Sequence, residues 1–236
     1  MNTLHIMSEQ SNRFLWTCLL GSIIGVFILG LFLLGAAYVA WLAFMPDDHR
    51  AARELRHRGF HVIYNWRDSV IPRLDPTHVG GNPITPEDSR LISRLPRLHE
   101  LSNWTLGPIG SKSDVSGLDL DEIGKNCREL TWFRFSAVEH FPPISDIRKL
   151  ATCPIKTFVL EGEIPLSDSD LEVFAGFTKL EALHLKCNSA GITDAGLEHL
   201  EHLPSLQHLF LPNTSITAAG VEAFRQKRPD VIITLE

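Results

Sequence analysis

Two stretches near the carboxyl end are almost copies of each other. Leu180-Glu-Ala-Leu183-His-Leu185 is followed by Ile192-Thr-Asp-Ala-Gly-Leu197, Leu200 and Leu203; Leu206-Gln-His-Leu209-Phe-Leu211 is followed by Ile216-Thr-Ala-Ala-Gly-Val221 and Phe224. Leu183 and Leu209 stand 26 residues apart, and Ile192 and Ile216 stand 24 apart. The L-x-L segment reads as a short strand whose leucines point one way and whose alternate residues point the other. The segment after it starts a helix that closes over those leucines. One such unit cannot bury its own apolar face, so the units must stack.

That pattern predicts an α/β leucine-rich repeat solenoid: a horseshoe with parallel strands on the concave face and helices outside; an uncharged apolar run before it adds a single transmembrane helix. The register carries backwards. Ile155-x-x-Phe158-x-Leu160 leads to Leu166-Ser-Asp-Ser-Asp-Leu171, and Leu130-x-x-Phe133-x-Phe135 leads to Ile147 and Leu150. Earlier still, Thr85, Pro86 and Asp88 form a helix-start signal ahead of Leu91, Leu95, Leu98 and Leu101. Ser167, Thr193 and Thr217 occupy the equivalent capping position later. The step from Leu101 to Phe133 is longer, 32 residues, with the surplus around Gly107 to Ser116. Val231 to Leu235 supplies a last strand, Ile233 and Leu235 in register with Leu209 and Leu211, and its edge is left without a capping repeat.

Charge is spread unevenly. The 236 residues carry a net charge of -6 and are 21% charged, yet residues 14–45 contain no charged side chain. About 20 apolar residues suffice to cross a bilayer, and the apolar region of a cleaved leader, about 7–15 residues, is far shorter than this run. Residues 14–45 are therefore read as a single-pass membrane span, with residues 1–13 a disordered tail. Arg50, Arg53, Arg56 and Arg58 follow the span, against Arg13 before it, which tilts the repeats toward the cytoplasmic side without fixing it. Residues 46–83 are read as a helix–strand amino-terminal cap and a linker, with Asp75 to Pro83 a turn-rich loop. Residues 84–236 form the repeat domain. Gly21 and Gly25 offer a close-packing face for self-association.

At Ile192-Thr-Asp-Ala-Gly-Leu197 the sequence resembles the leucine-rich repeat proteins of planctomycete bacteria, many of which carry an amino-terminal membrane segment. It is also similar to the ribonuclease-inhibitor-like repeats of F-box leucine-rich proteins. The match spans roughly residues 84–236 and is strongest over 155–224. The resemblance implies a horseshoe and says little about activity. It also implies a cysteine or asparagine three residues after the second strand leucine; those positions hold Val138, Glu163, Asn188 and Thr214, so Asn188 alone fits. No F-box precedes the repeats, which argues against a substrate receptor of a ubiquitin ligase.

Outward strand positions define the candidate binding surface for a protein partner. Across neighbouring units they read Trp132, Thr157, Ala182 and His208; then Arg134, Val159, His184 and Phe210; then Ser136, Glu161, Lys186 and Pro212. The partner-binding set is Trp132, Arg134, Val159, Glu161, His184, Lys186, His208 and Phe210, because Trp, Arg and Phe are residue types that anchor interfaces. His184, His208 and Glu161 are too few to be read as a metal site, and His199 and His202 are read as solvated. No nucleotide loop, nucleophile elbow or H-E-x-x-H occurs, so neither a cofactor nor an enzymatic activity is expected. The acidic charge argues against nucleic acid. Cys127, Cys153 and Cys187, outside the apolar run, show no C-x-x-C spacing and read as buried thiols.

Overall fold

The computed structural model describes residue 31 and residues 33–40, 45–64, 76–80, 84–102 and 113–235. The chain divides into two units, Met1–Pro46 and Asp47–Glu236. In the first, Leu31 and residues 33–40 are helical. The tail at 1–13 and most of the span read at 14–45 lie outside the described residues. Among the described residues, no helix is long and apolar enough to cross a membrane.

The second unit opens with helix α1 (Asp47–His57), which buries Ala51, Ala52 and Leu55 on one face. Asp47 and Asp48 in its first turn and Arg56 and His57 in its last complement the helix dipole. Gly59, at φ 89°, ends it in the left-handed region that glycine adopts without a Cβ penalty. Strand β1 (His61–Tyr64) follows. The stretch read as a loop then contributes a strand, β2 (Pro76–Gly80), antiparallel to β1 and parallel to β3 (Glu100–Ser102). The glycines and prolines that signalled a turn fall at this strand's ends and outside it. Arg58 ties α1 to the first repeat, bonding Glu54, Glu87 and the buried Asp88.

Helix α2 (Pro86–Ile92) carries the expected capping box, Asp88 N bonding Thr85 Oγ1 at 3.2 Å while Asp88 Oδ2 accepts from Thr85 N at 2.8 Å. Of the longer connection, residues 103–112 lie outside the described residues. Ser113–Asp114 form β4, parallel to β5 (Trp132–His140). Helix α3 (Leu120–Asn126), capped by Asp119, was not foreseen; its signal was Asp119 ahead of Leu120 and Ile123, both buried. Later come β6 (Thr157–Ser167), α4 (Asp168–Leu171), β7 (Ala182–Gly191), α5 (Asp194–Glu198), β8 (His208–Phe210), α6 (Ala218–Lys227) and β9 (Ile232–Thr234).

Among the described residues the nine strands make one sheet, ordered β1-β2-β3-β5-β6-β7-β8-β9 with β4 beside β5, and every pair after β1–β2 is parallel. The pairings Phe133↔Phe158, Phe158↔Leu183, Leu183↔Leu209 and Leu209↔Ile233 align the inward residues of successive units. This is a leucine-rich-repeat-like solenoid. Its outer side is less helical than expected: α4 and α5 are single turns, and Ile144–Thr152 and Glu172–Gly176 are 3-10 helices. In the middle units phenylalanine fills the core. Phe158 stacks on Phe133 at 4.9 Å and meets Phe174 edge-on at 5.1 Å.

The T-D-A-G-L motif has a function between units. Asp168 accepts from Thr193 N and Oγ1, both at 2.7 Å, and Asp194 accepts in the same way from Thr217, again at 2.7 Å. The glycine of the receiving unit makes room. A Cβ on Gly196 would lie 2.5 Å from Asp168 Oδ1, and one on Gly220 would lie 2.0 Å from Asp194 Oδ1. One unit earlier Asp170 fills the glycine position and caps Ser167 N itself at 2.8 Å. One unit later Ala218 offers no carboxylate.

Asn188 is exposed; the inward place belongs to Cys187, whose thiol donates to Leu160 O at 3.3 Å. The small thiol suits this site because β7 continues its alternation past Leu185, turning residue 187 inward and residue 188 out. Cys127 and Cys153 are likewise buried and free.

Candidate partner-binding surface

Parallel pairing turns the sequence pattern into rows. Glu100, Trp132, Thr157, Ala182, His208 and Ile232 form one row, and Ser102, Arg134, Val159, His184, Phe210 and Thr234 the next. In the third row only Glu161 and Lys186 stand opposite each other; Ser136 sits at a register irregularity beside Ala137 (φ 53°), and Pro212 is buried beyond the end of β8. Neighbouring members of a row lie about 4.8 Å apart.

These rows line a recess of about 510 Å³ bounded by Trp132, Arg134, Glu161, His184, Phe210 and Ile232. Exposure differs sharply along it. Trp132 is 42% exposed, and Arg134, Lys186 and His208 are exposed as well. Val159, expected among the outward contacts, is only 5% exposed: it points outward but its neighbours cover it, so it forms floor and not an anchor. Thr157 and Ala182, both half-buried, complete that floor. The His184 and Phe210 rings lie 5.7 Å apart, tilted by 59°. Burial holds the His184 imidazole below its ordinary value, with His208 and Arg134 pushing the same way and Glu161 opposing.

Glu161 and Lys186 make no ion pair with each other, and neither Arg134 nor Lys186 has a carboxylate partner among the described residues. Among the described residues, no group of three or more His, Cys, Asp or Glu side chains is placed to hold a metal ion. His202 is exposed and His199 half-buried.

Ile232 and Thr234 are outward residues lining the recess that the sequence reading left out. Ile232 is 60% exposed and borders a second recess, of about 510 Å³, shared with His208, Gln207 and Asp230. The signal was present in Val231-Ile-Ile-Thr-Leu235: once Ile233 is placed inward, period-two alternation turns Ile232 and Thr234 outward.

The sequence matches no protein-family model and no curated protein. Among solved structures it is similar to the crystal structure of an internalin (inlF) from Listeria monocytogenes, at 18% identity and a TM-score of 0.43, over 67% of this chain and 47% of that one. The present chain thus spans less than half the length of that internalin. The repeat architecture of this protein stands on its own strand register.

Proposed function

We propose that this chain is a non-catalytic, membrane-anchored leucine-rich repeat protein of the planctomycete type that binds a protein partner on the concave face of β5 to β8. The observation that carries the reading is the grouping of Trp132, Arg134 and Phe210 around one recess, an aromatic–arginine set of the kind that anchors interfaces. Anchoring through residues 14–45 is supported by the uncharged apolar run, and a cytoplasmic placement of the repeats by the arginines that follow it. A photo-crosslinking amino acid at half-buried Thr157 should trap one discrete partner in cells. Replacing Trp132, Arg134 and Phe210 by alanine should remove that adduct while circular dichroism stays native. An adduct that survives the three substitutions, or forms equally from exposed Ala175 on the outer side, would exclude the concave face.

A second reading, self-assembly through the edge strand, is favoured by one feature: Ile232 is 60% exposed on β9, which pairs only with β8 among the described residues. Light scattering in detergent decides it, since a monomer at high concentration removes this reading.

A further inference from the structure

We infer that the partner enters the recess as an extended peptide segment that sets an apolar side chain beside a carboxylate. The inference rests on the concave-face reading and names the ligand chemistry.

The floor and the walls differ in character. Val159, Ala182 and Thr157 are small and covered, while Trp132 stands on one side and Phe210 and Ile232 on the other. Trp132 on β5 and Phe210 on β8 are three strands apart, about 14 Å, which leaves room for an apolar side chain between the walls, over Thr157 and Ala182. A recess of about 510 Å³ is within the range that ordinary ligand pockets occupy.

Charge then selects the neighbour. The chain has an excess of acidic residues, and several cations elsewhere on the domain pair with them: Lys125 with Asp121, Lys156 with Glu181, Lys227 with Glu201, Arg228 with Asp230. At the recess Arg134 is exposed with no ion-pair partner among the described residues, and so is Lys186 in the next row, opposite Glu161, which is the one carboxylate among the recess-lining residues. Arg134 is two residues from Trp132 on the same strand, about 6.6 Å along it, the distance between alternate side chains of an extended peptide. A carboxylate one or two residues from the anchored apolar side chain therefore reaches the guanidinium, whose planar fork pairs carboxylates bidentately.

The test is selection of a displayed random heptapeptide library on the immobilised full chain in mild detergent. The expected winners carry Asp or Glu within two residues of Leu, Ile, Phe or Trp. Trp132→Ala should weaken them at least tenfold. Arg134→Glu should do the same to the acidic winners and shift a fresh selection toward Lys and Arg. Winners without acidic enrichment, or an unchanged preference after Arg134→Glu, overturn the carboxylate while leaving the concave face to the crosslinking result. Winners indifferent to Trp132→Ala place binding elsewhere and overturn the inference outright, as does a selection that enriches nothing.

Discussion

Asp194 of one repeat accepts both the backbone N–H and the hydroxyl of Thr217 in the next, each at 2.7 Å, so the carboxylate at the start of one helix caps the start of its neighbour. These bonds, led by the one from the Thr217 hydroxyl, hold the Asp194 carboxyl below the usual carboxylate range. Because a Cβ on Gly220 would collide with that carboxylate, the two positions are coupled. Gly220→Ala should destabilise the protein by roughly 1–3 kcal/mol through overpacking. In an Asp194→Ala background the same substitution should cost little, since the obstructing oxygen is gone and alanine is the better helix former. Urea unfolding of the four proteins of this cycle checks it, and equal costs of Gly220→Ala in both backgrounds would contradict the coupling.

Arg228, at the carboxyl end of α6, ties its unit to the preceding one. Its Nη1 donates to Glu201 O at 3.0 Å and Leu203 O at 2.7 Å, its Nη2 donates to Leu206 O at 3.0 Å, and Asp230 takes Nε and Nη2 in a bidentate pair. One guanidinium thus satisfies three carbonyls where the outer side of the preceding unit returns to its strand. Arg228→Ala should cost about 2–3 kcal/mol, because those acceptors lose their donor. Arg228→Lys should recover less than half of that, lacking the planar fork. Full recovery with lysine, in the same urea experiment, would mean that only the charge matters.

The strand half of the fold was legible in the sequence because its period is strict. Leu183, Leu185, Leu209 and Ile233 could go inward in only one register, since a one-residue slip exposes them all. Caps at Thr85, Thr193 and Thr217 were legible too, because the residue that caps is the residue that shows. Asp168, Asp194 and Gly220 were not, because their role joins residues 23 to 26 apart, a spacing that no local capping rule addresses. Pro76–Gly80 hid as a loop because its partners, β1 and β3, are distant in sequence and its own composition favours turns. At the candidate site the pairing of rows was readable, whereas the covering of Val159 depends on neighbouring side-chain conformations that alternation does not specify.

His184 makes stability depend on pH. Its imidazole titrates below its ordinary value of about 6.5 in the folded protein, chiefly through burial. As pH falls, the unfolded chain therefore takes up this proton first, which favours unfolding. The stability His184 contributes is complete above pH about 6.5 and is lost as pH drops from there through the lower folded value. Unfolding midpoints at pH 7.5 and 5.5 should accordingly differ more for the native sequence than for His184→Gln. An equal difference in both proteins would show that other groups carry the acid sensitivity.

The thiols give the opposite sign. Burial pushes Cys127 and Cys187 up to about 12, and Cys153 is raised by burial as well. Each donates to a carbonyl of the preceding unit: Cys127 to Ile92 O at 3.6 Å, Cys153 to Gly124 O at 3.7 Å, Cys187 to Leu160 O at 3.3 Å. Thiolate is the reactive form, so at pH 8 the folded protein should alkylate at Cys127 and Cys187 on the order of 10³-fold more slowly than a free cysteine. Above pH about 8.5 the unfolded chain releases protons that the folded chain keeps, so stability should fall as pH rises past that value. Peptide-resolved mass spectrometry after a timed iodoacetamide pulse reads the first effect directly. Rapid labelling of Cys187 without denaturant would mean that β6 and β7 open locally far more often than the rest of the sheet, and that the thiol is not sealed by its neighbours.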